Sequence, residues 1–448
     1  MTATVFLVLL LSAYWIKARS IEAAVLDLYL PIFLLGGSFI AFRLPHLPTI
    51  NFAYAAVIPI AGTLLIWHWR EWRFTRTDLW LALFMGGAAL TEILHSDNGT
   101  AGLILFDGIF QGVMPYMVGK MLLEKDGLRE RFVRRWVHIS VFVAIISIWE
   151  FRMGTNLFNR VEGMIFGSYN TFGAVRGGFV RAGGTFGGPI QAGCMFGAAM
   201  IMSLWLGVLD KSRGNERTYF GIRRATLITM GAALGVLIAN SRGPEVGLVL
   251  AFLIARMGKA KNFRLSLILT LCLTVVGGGI GYIKAMQYTS GSISDAKNQD
   301  QENAIYRRVL LDEYKSYIKE GGLLGYGVVA RPIVPGMFSI DNAFLNFQLL
   351  QGNLGLWTFI LLGSEGVLAS FRAARRATQR NDVCFAMCMC GALAGLILTL
   401  TTVYLGTPMY SLFFLLVGWS QSLRQTEEAS VTAPQPVNAR FAFRRVIA

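Results

Sequence analysis

Apolar residues gather into runs at roughly 2–16, 24–42, 50–69, 78–94, 104–123, 133–150, 185–209, 222–239, 243–257, 264–285, 343–371, 383–404 and 408–423. Most approach the length of about 20 residues that carries a helix across the hydrocarbon of a bilayer. Backbone polar groups cannot be left bare there, so the pattern predicts an all-α, polytopic integral membrane protein with about 12–13 transmembrane helices. Lys17 and Arg19 follow the first run and no basic flank precedes it, which predicts an uncleaved helix rather than a signal peptide.

One long polar interval, 286–342, interrupts the runs and predicts a large, partly helical external loop. From Ala304 to Glu320, Tyr306, Leu310, Tyr314, Tyr317 and Ile318 recur at helical spacing opposite Arg307, Arg308, Asp312, Lys315 and Lys319, the pattern of an amphipathic helix at the outer membrane face. Arg308 and Asp312 are spaced as an i,i+4 pair. Gly321-Gly322 ends the helix, Gly325-Tyr326-Gly327 makes a turn, and the interval closes on Asp341-Asn342, where an aspartate also suits a helix N-cap.

Arginine and lysine clusters at 70–76, 120–135, 211–224, 256–264 and 372–380 are each separated by two runs and belong in the cytoplasm. Five outer intervals remain: 95–103, 151–184, 240–242, 286–342 and 405–407. The expected organisation is therefore transmembrane helices over 1–285 with a functional outer loop at 151–184, then the large loop 286–342. The last three helices take 343–424, and a cytoplasmic, unordered basic tail takes 425–448, with Arg440, Arg444 and Arg445.

Composition agrees with the pattern: 54% of the 448 residues are hydrophobic and 15% charged, outside the range of ordinary soluble domains. The net charge of +15 follows from the cytoplasmic clusters, so it does not point to nucleic acid. Cys194, Cys272, Cys384, Cys388 and Cys390 all lie in apolar runs and are expected as small buried hydrophobes. No metal-ligand spacing and no nucleotide-phosphate motif is present. Asp295, Asp300 and Glu302 form an acidic stretch suited to solvent or to loose cation binding.

Interval 151–184 carries Arg152, Arg160, Arg176 and Arg181 on the side where positive charge is disfavoured. Arg152 and Arg160 suit snorkelling to headgroups. Arg181 precedes Ala182-Gly183-Gly184-Thr185-Phe186-Gly187-Gly188-Pro189, a glycine-lined helix entry suited to an anion. Arg242 sits in the tight turn Asn240-Ser241-Arg242-Gly243-Pro244-Glu245, where pairing with Glu245 is the structural alternative.

These pieces, in this order, resemble the O-antigen ligase and O-antigen (exopolysaccharide) polymerase superfamily of bacterial inner-membrane glycosyltransferases. The fragments that carry the resemblance are Arg181-Ala-Gly-Gly-Thr-Phe-Gly, Ser241-Arg242-Gly243, Arg307 eighteen residues before Gly325-Tyr-Gly, and Asp341-Asn342-Ala-Phe-Leu followed by Gly352-Asn-Leu-Gly355. Together they cover roughly residues 150–420. The resemblance implies a multi-pass enzyme of the inner membrane, its active site facing the periplasm, that uses undecaprenyl-diphosphate-linked glycans as donor and acceptor and no cofactor. Membrane lipids, a chain-length regulator and a flippase are the further partners it implies, and nucleic acid is not among them.

On that reading Arg181 and Arg242 grip the diphosphate, because guanidinium forks bind phosphate oxygens in pairs and keep their charge. Arg307, Arg176, Tyr306 and Asn342 complete the substrate-binding set, and Asp341 takes the proton of the attacking hydroxyl. The family's ligases commonly place a histidine where this chain has Asp341. None of His46, His68, His95 and His138 lies in the two long outer loops, which favours a polymerase of lipid-linked repeat units. Two alternatives stay open: a ligase delivering glycan to lipid A core, and a transporter of lipid-linked oligosaccharide, for which charges near the bilayer midplane are expected.

Overall fold

The computed structural model describes residues 2–36, 41–42, 49–125, 127–167, 175–337 and 339–432. His46, Arg440, Arg444 and Arg445 lie outside the described residues. The helices run α1 (Thr2–Ala18), α2 (Ile21–Ala24), α3 (Leu30–Leu35), α4 (Phe52–Trp67), α5 (Arg76–His95), α6 (Asn98–Gly108), α7 (Met114–Met121), α8 (Leu128–Met153) and α9 (Leu157–Phe166). They continue as α10 (Pro189–Ser212), α11 (Arg224–Ala239), α12 (Arg242–Met257), α13 (Phe263–Tyr288), α14 (Gln299–Glu313), α15 (Lys315–Gly321), α16 (Ala343–Arg376), α17 (Arg380–Leu400) and α18 (Thr407–Thr432). π-helical turns join α2 to α3 and α6 to α7. Strands occur among the described residues only as two-residue hairpins: β1 (Ala41–Phe42) with β2 (Ile50–Asn51), β3 (Val175–Arg176) with β4 (Phe179–Val180), and β5 (Thr218–Tyr219) with β6 (Ile222–Arg223).

The protein is thus all-α, and each predicted run has a helix at its centre. Among the described residues seven helices are long and apolar enough to cross a membrane: α5, the continuous rod 98–121, α8, α10, α13, α16 and α17. The chain is helical as far as Thr432, so the tail expected from 425 begins inside α18.

Small residues set the closest packing. Gly247 of α12 and Gly395 of α17 meet so tightly that a Cβ on Gly247 would lie 2.4 Å from the Gly395 carbonyl oxygen, and Gly391 approaches the Ala251 backbone in the same way. Association of helices in hydrocarbon depends on such close backbone approach, because lipid tails are as apolar as leucine. The contact fixes the helix that begins at Arg242. Four cysteines are buried as expected, whereas Cys272 is exposed. It lies on α13, which has no buried residue and stands at the edge of the bundle, so its apolar surface turns outward.

The interval 286–342, expected to be external, folds differently from the single amphipathic helix that its spacing predicts. It forms two helices, α14 and α15, interrupted at Tyr314. Their apolar side, with Leu310 and Tyr314, packs on Val334, Met337 and Ile340 of the returning chain and on Leu345 and Leu349 of α16. The segment therefore buries its apolar face within the protein. Arg308 does not pair with Asp312; its Nη2 donates to the Gly291 carbonyl at 2.6 Å, tying α14 to the chain that enters it.

The return stretch is locked into a break in α16. Gly352 adopts φ 61° and ψ −156°, accessible in practice only to glycine, and opens the helix. Tyr326 N and Gly327 N donate to the carbonyls of Leu349 and Leu350, while Asn353 N and Leu354 N donate to those of Gly322 and Leu323. A Cβ on Gly325 would sit 2.5 Å from Gly352 N. The two glycine fragments singled out in the sequence are thus halves of one backbone-to-backbone joint. From α5, Thr91 Oγ1 donates to the Leu324 carbonyl at 2.7 Å, and the buried Glu92 accepts from Val328 N at 2.6 Å.

Candidate functional site

Arg176 and Arg181 are presented by the β3–β4 hairpin, whose two-residue turn is Gly177-Gly178, both at positive φ, as a tight hairpin turn requires. Phe179 stacks on Phe151 of α8 at 4.8 Å between ring centres and holds the hairpin to the bundle. Beyond Arg181, the backbone N–H groups of Gly183 and Gly184 donate to the Glu150 carboxylate at 3.0 and 2.9 Å, and Asn156 Nδ2 donates to it at 2.9 Å. The sequence reading placed an external anion at this glycine stretch; the protein's own Glu150, 4% exposed, already fills that cradle. Ala182 N is also engaged, by the Ile238 carbonyl. Arg181 is left to meet a ligand with its side chain alone.

Asn240 joins the arginines. It takes the left-handed conformation, φ 47°, that asparagine tolerates better than most residues and that reverses the chain between α11 and α12. Its carbonyl accepts from Arg176 Nη1 at 3.0 Å and from Arg181 Nε at 3.1 Å, and its Nδ2 donates back to the Arg176 carbonyl. Two residues on, Arg242 opens α12. It pairs with Asp300 in the first turn of α14, Nη2 to Oδ2 at 2.8 Å, and not with Glu245. The other Asp300 oxygen lies 3.3 Å from Arg176 Nε, so one carboxylate from the external segment spans two arginines. Asp300 belonged to an acidic stretch in the sequence reading; it is part of the site.

The remaining components come from 306–342. Arg307 approaches Asp341, Nη2 to Oδ2 at 3.9 Å, and its Nε is buried without a hydrogen-bond partner. Ser339 Oγ donates to Asp341 Oδ1 at 2.9 Å. Tyr306, expected to touch substrate, uses its hydroxyl inside the fold, donating to the Ser339 carbonyl and accepting from Ser339 N. Asn342 is likewise occupied: it is the N-cap of α16, accepting from Leu345 N at 3.1 Å. Capping by Asn342 removes the capping role from Asp341, whose carboxylate remains about one-third exposed beside Arg307.

The four guanidiniums act on one another. Burial, followed by repulsion from Arg176 and Arg307, lowers the pKa of Arg181 to about 10, while Asp300 and Glu245 oppose the fall. It stays charged at neutral pH. Arg307 is lowered in the same sense, first by burial, with Asp341 opposing and Arg176 and Arg242 adding repulsion. The arrangement concentrates positive charge at one end of the helices, with Asp300 bridging two of the arginines and the partly exposed Asp341 at its border. Bidentate recognition of phosphate oxygens and acceptance of a proton at Asp341 are the chemistry within its reach.

The structure brings Arg176, Arg181, Arg242, Arg307 and Asp341 near one another, and engages the Tyr306 hydroxyl and the Asn342 side chain in hydrogen bonds within the fold. Sequence reasoning missed Glu150, Glu92, Asn240 and Asp300 as organisers. A glutamate near the C-terminal end of each of two apolar runs, Glu92 and Glu150, was the available signal. Among the described residues no group of three or more His, Cys, Asp or Glu is arranged to hold a metal ion. Comparison with family models and with curated proteins gives no match for this chain.

Proposed function

We propose that the protein is a membrane glycosyltransferase of the polysaccharide polymerase type, joining undecaprenyl-diphosphate-linked repeat units on the outer face of a bacterial inner membrane. In this reading the shorter rods join the seven long helices as spans, giving about 12–13 in all. The observation that carries the proposal is the convergence of Arg176, Arg181, Arg242 and Arg307 from three separate stretches of chain beside Asp341. The acceptor hydroxyl oxygen attacks the anomeric carbon of the donor, the bond from that carbon to the diphosphate oxygen breaks, and the lipid diphosphate leaves with the electron pair. Asp341 takes the hydroxyl proton. The arginines hold the diphosphate and stabilise the charge that grows on it. Displacement of Asp300 by a phosphate group frees Arg176 and Arg242 for the substrate.

The test is reconstitution of the purified protein with lipid-diphosphate-linked repeat units, with and without lipid A core. A ladder of products formed from repeat units alone supports a polymerase. A single transfer that needs lipid A core makes it a ligase, and passage of the lipid across the bilayer with no new glycosidic bond makes it a transporter; either overturns the proposal.

A further inference from the structure

A charged cavity lies at the end of α10 remote from Arg181, and α10, with 24 residues, is about 36 Å long. The cleft has a volume of about 710 Å³ and opens between α10, α11, the β5–β6 hairpin, the turn that carries Lys259 and the start of α17 at Arg380. Its floor is polar: Ser203 and Thr229 bond hydroxyl to hydroxyl at 2.8 Å. They lie about 13 and 8 Å along their helices from the rim. Leu204, Val208 and Ala225 supply apolar wall.

The rim is basic, and its carboxylates are already committed. Asp210 is taken by Arg134, and Glu216 pairs with Arg223 at 3.3 Å. Arg380 donates to the Lys259 carbonyl, and Arg224 faces His138. That leaves Lys211, Arg217 and Lys259, among the described residues, with neither an ion pair nor a side-chain hydrogen bond. Basic charge on this side of a membrane protein is expected in general; three unpaired cations around an apolar-walled, polar-floored cleft are not. Basic pockets between helices are suited to phosphate-bearing headgroups, with the apolar wall receiving what the phosphate is attached to.

We propose that this cleft is a binding site for a phosphate group, held by Lys211, Arg217 and Lys259. Two sources present that chemistry: an anionic phospholipid headgroup and a soluble phosphorylated molecule. The test counts lipids retained by the purified protein, using native mass spectrometry after exposure to mixed phosphatidylglycerol and phosphatidylcholine, and measures calorimetric binding of inorganic pyrophosphate separately. Three proteins carry the comparison: wild type, the cleft variant K211Q/R217Q/K259Q, and R70Q/R375Q/R376Q, which removes the same charge from exposed positions outside the cleft. For a lipid ligand, the cleft variant loses phosphatidylglycerol by about tenfold or more while the other variant retains it. For a soluble ligand, pyrophosphate binding shows that loss instead, and persists in R181K/R242K. Thr226→Trp, which fills the cleft without changing charge, reproduces whichever loss is seen and keeps the test usable if the triple variant fails to fold. Equal retention of both probes by the cleft variant and the charge-matched variant overturns the proposal.

Discussion

Arg181 and Arg307 serve one cluster from unlike supports. Arg181 hangs from a hairpin stacked on α8, its backbone neighbours bonded to the buried Glu150 and its side chain seated on the Asn240 carbonyl. Arg307 rides on α14, its pairing with Asp341 is 3.9 Å long, and both side chains are more than one-third exposed. Under the proposed function, the membrane helices fix the half of the site that grips diphosphate, and the segment 286–342 brings the half that accepts the proton. That segment touches the arginines through Asp300 and is secured away from them, at the Gly325–Gly352 joint and the Glu92 clasp.

Four changes test that contrast, in falling order of effect. Arg181→Lys with Arg242→Lys keeps charge and removes the forks, so polymer yield falls by about a hundredfold or more while the protein remains folded in the membrane. Wild-type yield would remove the arginines from the chemistry. Gly352→Ala forces a side chain onto a glycine-only backbone and against the Leu323 carbonyl, a strain of about 1–3 kcal/mol before the clash is added. Its thermal midpoint drops, and proteolysis of 321–337 rises before that of the helices.

Glu150→Gln turns one acceptor into a donor facing the donors of Gly183, Gly184 and Asn156, at a cost of about 1–3 kcal/mol. Chemical denaturation reads that loss, and unchanged stability would deny Glu150 its anchoring role. Asp300→Asn weakens the one contact that holds the halves together at the arginines. Such partly exposed ion pairs are worth about 0–1 kcal/mol, so pyrophosphate binding tightens by only about two- to fivefold, measured by calorimetry. Weaker binding would make Asp300 a partner of the ligand rather than its competitor.

Local pattern carried the helices and most of the charged cluster, because apolar run length and arginines at the ends of those runs are both written in short stretches of chain. What it missed depends on pairing across distance. The N–H groups of Gly183 and Gly184 look like an anion cradle until Glu150, more than thirty residues upstream, is seen to occupy it. Gly325 and Gly352 are legible as two flexible points, but their joint exists only once the external segment folds back. Helical spacing sets Tyr306 on the apolar side of its helix, where it packs, but says nothing of its hydroxyl's bond to the Ser339 backbone or of Arg308 bonding the Gly291 carbonyl in place of Asp312. Asp341 and Asn342 are neighbours of similar capping ability, and the fold gives the cap to Asn342 alone.

Asp341→Asn gives the most direct test of the central claim, since it keeps the size and the hydrogen bond from Ser339 while removing the ability to take a proton. With purified protein and lipid-linked repeat units, the variant retains substrate binding and loses turnover by about a hundredfold or more, within the usual contribution of an acid–base group. Near-normal turnover with intact binding would contradict the account, leaving an arginine site that holds diphosphate without a base of its own.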